Sequence, residues 1–237
     1  MFLRRLEAPV LLCLLFAVFS IAAQEATTKP STTGTLLVLN KAENSLAFVN
    51  PQTLSVTGRV PVGEGPHEVI ASADGKLAFV GNYGTAQVQG SSLSVIDLAA
   101  KKELRRVDLG ALRRPHGLVE INGKVYFTCE VNRLIARYDP AADKVDFVMG
   151  TGQGTTHMIA GQPGQQQLYT ANITSNTVTV FDFAAQPLAV VQLPVADKPE
   201  GIDLTPNGKE VWVAHRGSGQ VSVIDTASRK VAETLKV

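Results

Sequence analysis

Residues 65–82 read GPHEVIASADGKLAFVGN. Two short apolar runs flank Asp74-Gly75, a dipeptide suited to a tight reversal, so the stretch predicts two antiparallel strands joined by a turn. The first strand opens with Pro66-His67 and the second closes on Asn82. A lone histidine says little about chemistry, so the reading of this hairpin depends on whether it recurs.

It does recur. PHGLVE at 115–120, THMIAG at 156–161 and PEGIDL at 199–204 repeat the opening strand, while LVLN, FTCE, YTAN and WVAH repeat the closing of the next one. The closing residues Asn40, Asn82, Glu130, Asn172 and His215 are spaced by 42, 48, 42 and 43 positions. A further strand ends in AFVN, SVID, ARYD, TVFD and SVID at Asn50, Asp97, Asp139, Asp182 and Asp225, keeping the same period. An outer strand follows, as in GRVPV, ELRRVDL and AVVQLPV. Val- and Ile-rich runs between Gly, Asn and Asp turns, with no sustained helical period, predict an all-β chain. Four short strands per repeat of this length describe a β-propeller of four-stranded antiparallel blades, with about five blade units present.

The motifs FVGN, YTAN and WVAH, each followed by a strand of the SVID type, resemble the YVTN-repeat β-propeller family over residues 35–237. That family sits beside lactonase-like and cytochrome d1-like propellers, so the resemblance implies architecture more than activity. The repeat begins at LLVLN without an innermost strand before it and ends on the outer strand VAETLKV. The expectation is a truncated seven-bladed ring lacking its C-terminal closing strand, or else a five-bladed ring with a defective first blade.

Composition agrees with a folded domain. The chain has 237 residues, 45% hydrophobic, with a formal net charge of +1. It is too apolar for a disordered segment, and its scattered basic residues point to no nucleic-acid surface. Residues 1–23, with Arg4 and Arg5 ahead of an apolar run, predict a signal peptide, and the Thr- and Pro-rich residues 24–34 a flexible linker. The mature protein is then exported, periplasmic or extracellular, without a transmembrane anchor. Cys129 is its single cysteine, which excludes an internal disulfide.

Inner-strand openings and second-strand endings of a propeller meet at one mouth of the central channel. His67, His116, His157 and Glu200 occupy equivalent openings and are expected to converge there, with Glu130, His215, Asn82 and Asn172 beside them. Imidazoles and carboxylates are ligands for divalent transition ions, so His67, His116, His157 and Glu200 form a candidate metal set. The same side chains can equally cap turns or contact a ligand. Arg113 and Arg114 precede Pro115-His116 and are candidates to grip a carboxylate or phosphate. An insertion, GTAQVQGSS at 84–92, is expected to lengthen a loop at this mouth, with Tyr83 beside it.

Other conspicuous features have plainer readings. Asp97, Asp139, Asp182 and Asp225 each precede a small polar turn and predict Asx-type turns. GTGQGTTH at 150–157 opens a strand, which removes the geometry of a phosphate cradle. Asn172-Ile173-Thr174 matches a glycosylation acceptor, a short motif that chance supplies easily. Two functions follow: an exported propeller binding a small molecule or protein at the channel mouth, or a metal-assisted, lactonase-like hydrolase using the His/Glu cluster there. The residues do not decide between binding and catalysis.

Overall fold

The computed structural model describes residues 34–164 and 166–237; the signal-peptide segment and residues 24–33 of the linker lie outside the described residues. Five antiparallel sheets follow one another along the chain. The first contains β1 (Leu36–Asn40), β2 (Ser45–Val49) and β3 (Val56–Pro61). The second contains β4 (Pro66–Ala71), β5 (Leu77–Gly84), β6 (Gln89–Asp97) and β7 (Lys102–Asp108). The third contains β8 (Pro115–Ile121), β9 (Lys124–Cys129), β10 (Leu134–Asp139) and β11 (Lys144–Gly150). The fourth contains β12 (Thr156–Ala160), β13 (Gln167–Asn172), β14 (Thr177–Asp182) and β15 (Ala189–Pro194). The fifth contains β16 (Pro199–Leu204), β17 (Glu210–His215), β18 (Gln220–Asp225) and β19 (Lys230–Lys236). These are the blades of a β-propeller, and the first has three strands where the others have four.

Each strand pairs with its neighbour in sequence, so every blade is a simple meander. Glycines at the predicted reversals adopt positive φ: Gly75 at 67°, Gly123 at 76° and Gly208 at 66°. At the same end of the blades, the recurring aspartates cap turns as expected. Asp97 accepts from the Ala100 N–H at 2.8 Å, Asp182 from Ala184 at 3.0 Å and Asp225 from Ser228 at 2.7 Å.

Strand alternation builds a core between each pair of successive blades. Ala78 and Val80 pack back onto Leu46 and Phe48 of blade one, while Phe79, between them in sequence, packs forward against Phe127 and Tyr138 of blade three. Blades three and four meet through Ile121, Ile135, Ile159 and Phe181, and blades four and five through Tyr169, Val180, Val213 and Ile224. Burial of the large side chains at roughly 1.5–3 kcal/mol each is the main force that stacks the blades. The inner strands β4, β8, β12 and β16 consequently run side by side, bringing their opening residues to one place.

Candidate functional site at the channel mouth

The four complete blades deliver their opening residues through the same break in strand pairing. In blade two, Pro66 pairs with Asn82 and Glu68 with Gly81, so His67 has no partner of its own. Equivalent register shifts flank His116, His157 and Glu200. Each is a β-bulge, a device that re-aims a side chain at the end of a ladder. The residue before each inner strand takes positive φ: Gly65 at 58°, Arg114 at 56°, Thr155 at 53° and Lys198 at 54°. Their carbonyls accept N–H bonds from Tyr83, Glu130, Ile173 and Arg216 at 3.2, 3.2, 3.0 and 3.1 Å.

This pairing moves Glu130 by one register from its place in the sequence repeat. Cys129 stands opposite Pro115, as Asn82, Asn172 and His215 stand opposite Pro66, Thr156 and Pro199. Glu130 therefore belongs with Tyr83, Ile173 and Arg216, and with Lys41, which follows Asn40. The signal for this was present in the strand facing each closing residue. Asn40, Asn82 and Asn172 face Ser45, Ser92 and Thr177, whereas Cys129 faces Leu134, an apolar pair in place of a polar one.

The side-chain hydrogen bonds of Asn82, Asn172 and His215 stay inside their own blades, while Asn82 Oδ1 and His215 Nδ1 are buried without a partner. Asn82 donates from Nδ2 to Ser92 and Ser94, both at 3.0 Å, and Asn172 to Thr177 at 3.1 Å and Thr179 at 2.9 Å. His215 Nε2 lies 2.9 Å from Ser222 Oγ. All three are buried, so they lock the strands of their own blades at this mouth without facing it. The Asn172 glycosylation motif is likewise inaccessible in the fold. Burial pushes the Cys129 thiol up to about 12, which makes it an inert core residue.

The bulged residues and the register beyond the closing ring come together. The His116 ring sits between His67, which it meets edge-on, and His157, which is tilted against it, with centroids 4.3 and 3.8 Å away. Tyr83 meets His67 and His116 edge-on, each at 5.3 Å, and its hydroxyl donates to Glu130 Oε2. Glu130 Oε1 contacts His157 Nδ1, and His157 Nε2 lies 3.5 Å from Glu200 Oε1. Arg216 donates to the same Glu200 oxygen at 3.1 Å. Lys41 Nζ and the Arg114 guanidinium sit over the Tyr83 ring, 4.9 and 4.6 Å from its centroid.

Burial, then the nearby His157 and His67, drives the His116 pKa down to about 3, so this ring is neutral. Partial desolvation of the otherwise exposed His67 lowers its pKa, assisted by Lys41, and burial raises that of the neighbouring Glu68. Burial pushes the Glu130 carboxyl upward, but hydrogen bonds from His157 and Tyr83 outweigh it and leave the group below its ordinary value. A charged carboxylate is thus held against two imidazoles in a partly buried setting.

The candidate arginines separate. Arg113 donates back to the Gly110 carbonyl, whereas Arg114 reaches Tyr83 and donates to the Thr85 carbonyl at 2.9 Å. Thr85 lies in the insertion, which is an extension of the β5–β6 hairpin in which Gly84 pairs with Gln89. A cavity of about 360 Å³ opens beside the cluster, lined by Tyr83, Arg114, Glu130, Arg133, Thr155 and Thr174 among others. Among the described residues, donor atoms within 4.8 Å of one another form two groups, His67–Glu68–His116 and His116–Glu130–His157. Both include His116, and their carboxylates are Glu68 and Glu130 rather than the Glu200 of the sequence-based set.

Fold and site together define a β-propeller with a polar channel mouth. Among solved structures, the chain is similar to U3-55K, at a TM-score of 0.72 and 13% identity, over 85% of this chain and 61% of that one. It is also similar to the RRP9 WD40 repeats, at 0.73 and 13% over 85% and 60%, and to Kuenenia stuttgartiensis hydrazine synthase, at 0.52 and 18% over 81% and 73%. At these identities the likeness concerns the fold. Antigen Lp49 of Leptospira interrogans serogroup Icterohaemorrhagiae serovar copenhageni (strain Fiocruz L1-130) is 26% identical over 164 residues, 60% of this chain and 35% of that protein. The chain therefore spans about a third of the length of this curated relative. No family model matches the chain. No helix among the described residues is long and apolar enough to cross a membrane.

Proposed function

We propose that this chain is an exported propeller of the YVTN-repeat type that binds an anionic small molecule at the channel mouth. The observation that carries the reading is that all five blades supply side chains to one polar cluster: Lys41, Tyr83, Glu130, His157 and Arg216 come one from each. Four repeated bulges aim the inner-strand residues there, which is more than blade packing requires. The cavity beside the cluster offers Arg114 and Arg133 for a carboxylate or phosphate, the Tyr83 ring for an apolar or aromatic body, and Thr155 and Thr174 for hydrogen bonds. Export is supported by the charged and apolar pattern of residues 1–23 and by the likeness to a protein named as an antigen.

The test is thermal unfolding with citrate and with inorganic phosphate as probes. A ligand at about 100 times its Kd stabilises the native state by about 2.7 kcal/mol. The midpoint is expected to rise for the wild type and to stay unchanged for Arg114→Ala. No response to either probe, or an equal response in Arg114→Ala, overturns the reading.

A further inference from the structure

His116 is 2% exposed, yet neither ring nitrogen has a hydrogen-bond partner. A neutral imidazole offers one donor and one acceptor, and leaving such groups buried and unpaired costs about 1–3 kcal/mol each. The fold holds the ring in place despite this cost. Its Cα neighbour Gly117 is pressed against the β12 backbone and donates its N–H to Thr128 Oγ1 at 3.0 Å, and the Thr128 hydroxyl donates to the His157 carbonyl. A buried, preplaced and unsatisfied imidazole calls for a ligand that accepts a nitrogen lone pair.

We propose that His116, Glu130 and His157 bind a divalent first-row transition ion of the Zn(II), Co(II) or Ni(II) kind, with Glu200 and Tyr83 positioning two of these ligands. The assignment rests on reading the mouth as a binding site and names a second occupant of it. One atom from each of the three residues lies within 4.8 Å of the others. His157 Nδ1 and Glu130 Oε1 face each other in hydrogen-bond contact, so a proton stands where the ion belongs. Metal–ligand bonds of about 2.0–2.2 Å require the two atoms to part by on the order of 1 Å, a side-chain adjustment.

The surroundings supply the outer contacts such a site uses. Glu200 Oε1 faces the other nitrogen of His157 at 3.5 Å, an arrangement in which a carboxylate fixes the tautomer and orientation of a metal-binding histidine. The Tyr83 hydroxyl holds the second oxygen of Glu130. Glu200 is accordingly a positioning residue and not a ligand. Two imidazoles and one carboxylate favour transition ions over Mg(II) and Ca(II), which select oxygen ligands. The overlapping group of His67, Glu68 and His116 is more open, since His67 is exposed, so the ion is assigned to the enclosed group. Three protein ligands leave a coordination position for water or for an oxygen of the bound anion.

The test uses protein produced without a histidine tag, stripped with chelator and titrated with Co(II), read by its visible d–d absorption, and with Zn(II), read by calorimetry. The wild type is expected to take a single equivalent of either ion in competition with excess Mg(II) or Ca(II). Glu130→Gln and His157→Asn are expected to weaken binding by about 100-fold or more, and Glu200→Gln by about 10-fold. His116→Asn tests the buried ligand, and the partly exposed Glu130 and Glu200 variants keep the test decisive if that protein does not fold. Absence of a cobalt spectrum in the wild type, or wild-type affinity in both Glu130→Gln and His157→Asn, overturns the proposal. Arg114→Ala is expected to retain cobalt while losing the citrate response, so each of the two proposals can fail without the other.

Discussion

Asn172 and Glu130 stand one register apart at the ends of equivalent strands, and their polar atoms serve different purposes. Asn172 is fully buried and bonds Thr177 and Thr179 on the next strand of its own blade. Glu130 reaches Tyr83 of blade two and His157 of blade four. The closing ring locks each hairpin within a blade, and the ring beyond it couples blades to one another around the mouth. A single step along the strand separates scaffold from site, because that step carries the side chain past the last ladder pair.

The sharpest break in this comparison is expected where inner strands approach most closely. A Cβ on Gly117 would lie 2.7 Å from the Ile159 nitrogen and 2.8 Å from the Met158 Cα, so Gly117→Ala must push blades three and four apart. A loss of about 3 kcal/mol is expected in urea unfolding, together with weakened cobalt binding. Gly201→Ala is the control, since its Cβ would meet only Ala214 at 3.6 Å, and it is expected to fall within about 0.5 kcal/mol of the wild type. Equal losses in the two variants would show that close approach at the mouth does not set blade spacing.

Removing a closing residue is expected to cost stability without touching binding. Asn172→Ala removes the donor to the half-buried Thr177 and the buried Thr179 hydroxyls, for a loss of about 1–3 kcal/mol. Citrate and cobalt affinities measured on the folded variant are expected to match the wild type. A change in either affinity would place Asn172 in the site and dissolve the distinction between the rings.

Acid is expected to act on the site ring. His116 has a pKa of about 3 in the fold against 6.5 for the free side chain, so below pH 6.5 the unfolded chain binds the proton that the native state refuses. The metal-free wild type should lose stability as pH falls from 6.5 toward 3, by at most about 1.4 kcal/mol per pH unit from this group. His116→Gln should show a shallower decline in urea unfolding at pH 7, 5.5 and 4.5. Parallel declines would mean that His116 does not carry the acid sensitivity.

The propeller was legible because its evidence is local and repeated. Phe79 between Ala78 and Val80, turns at Gly75, Gly123 and Gly208, and openings at His67, His116, His157 and Glu200 all follow from strand alternation and a constant period. The convergence of those four openings was legible for the same reason. Glu130 was misregistered because matching polar letter to polar letter placed it over Asn82 and Asn172, while the apolar pairing of Cys129 with Leu134 was the better guide. Arg113 and Arg114 are indistinguishable as neighbours in a loop, and which one turns to Tyr83 depends on the positive φ at Arg114 and on the extended hairpin carrying Thr85.

Strand pattern and period, read along the chain, were enough to establish the blades, their order and the residues that open them, because side-chain alternation and turn chemistry act over a few residues. The partners of those residues were decided in three dimensions. Bulges, one-residue register choices and blade spacing bring Tyr83, Glu130 and His157 from three blades into contact and leave His116 buried with two unpaired nitrogens. Those contacts depend on angles and distances accumulated across more than forty residues of chain per blade.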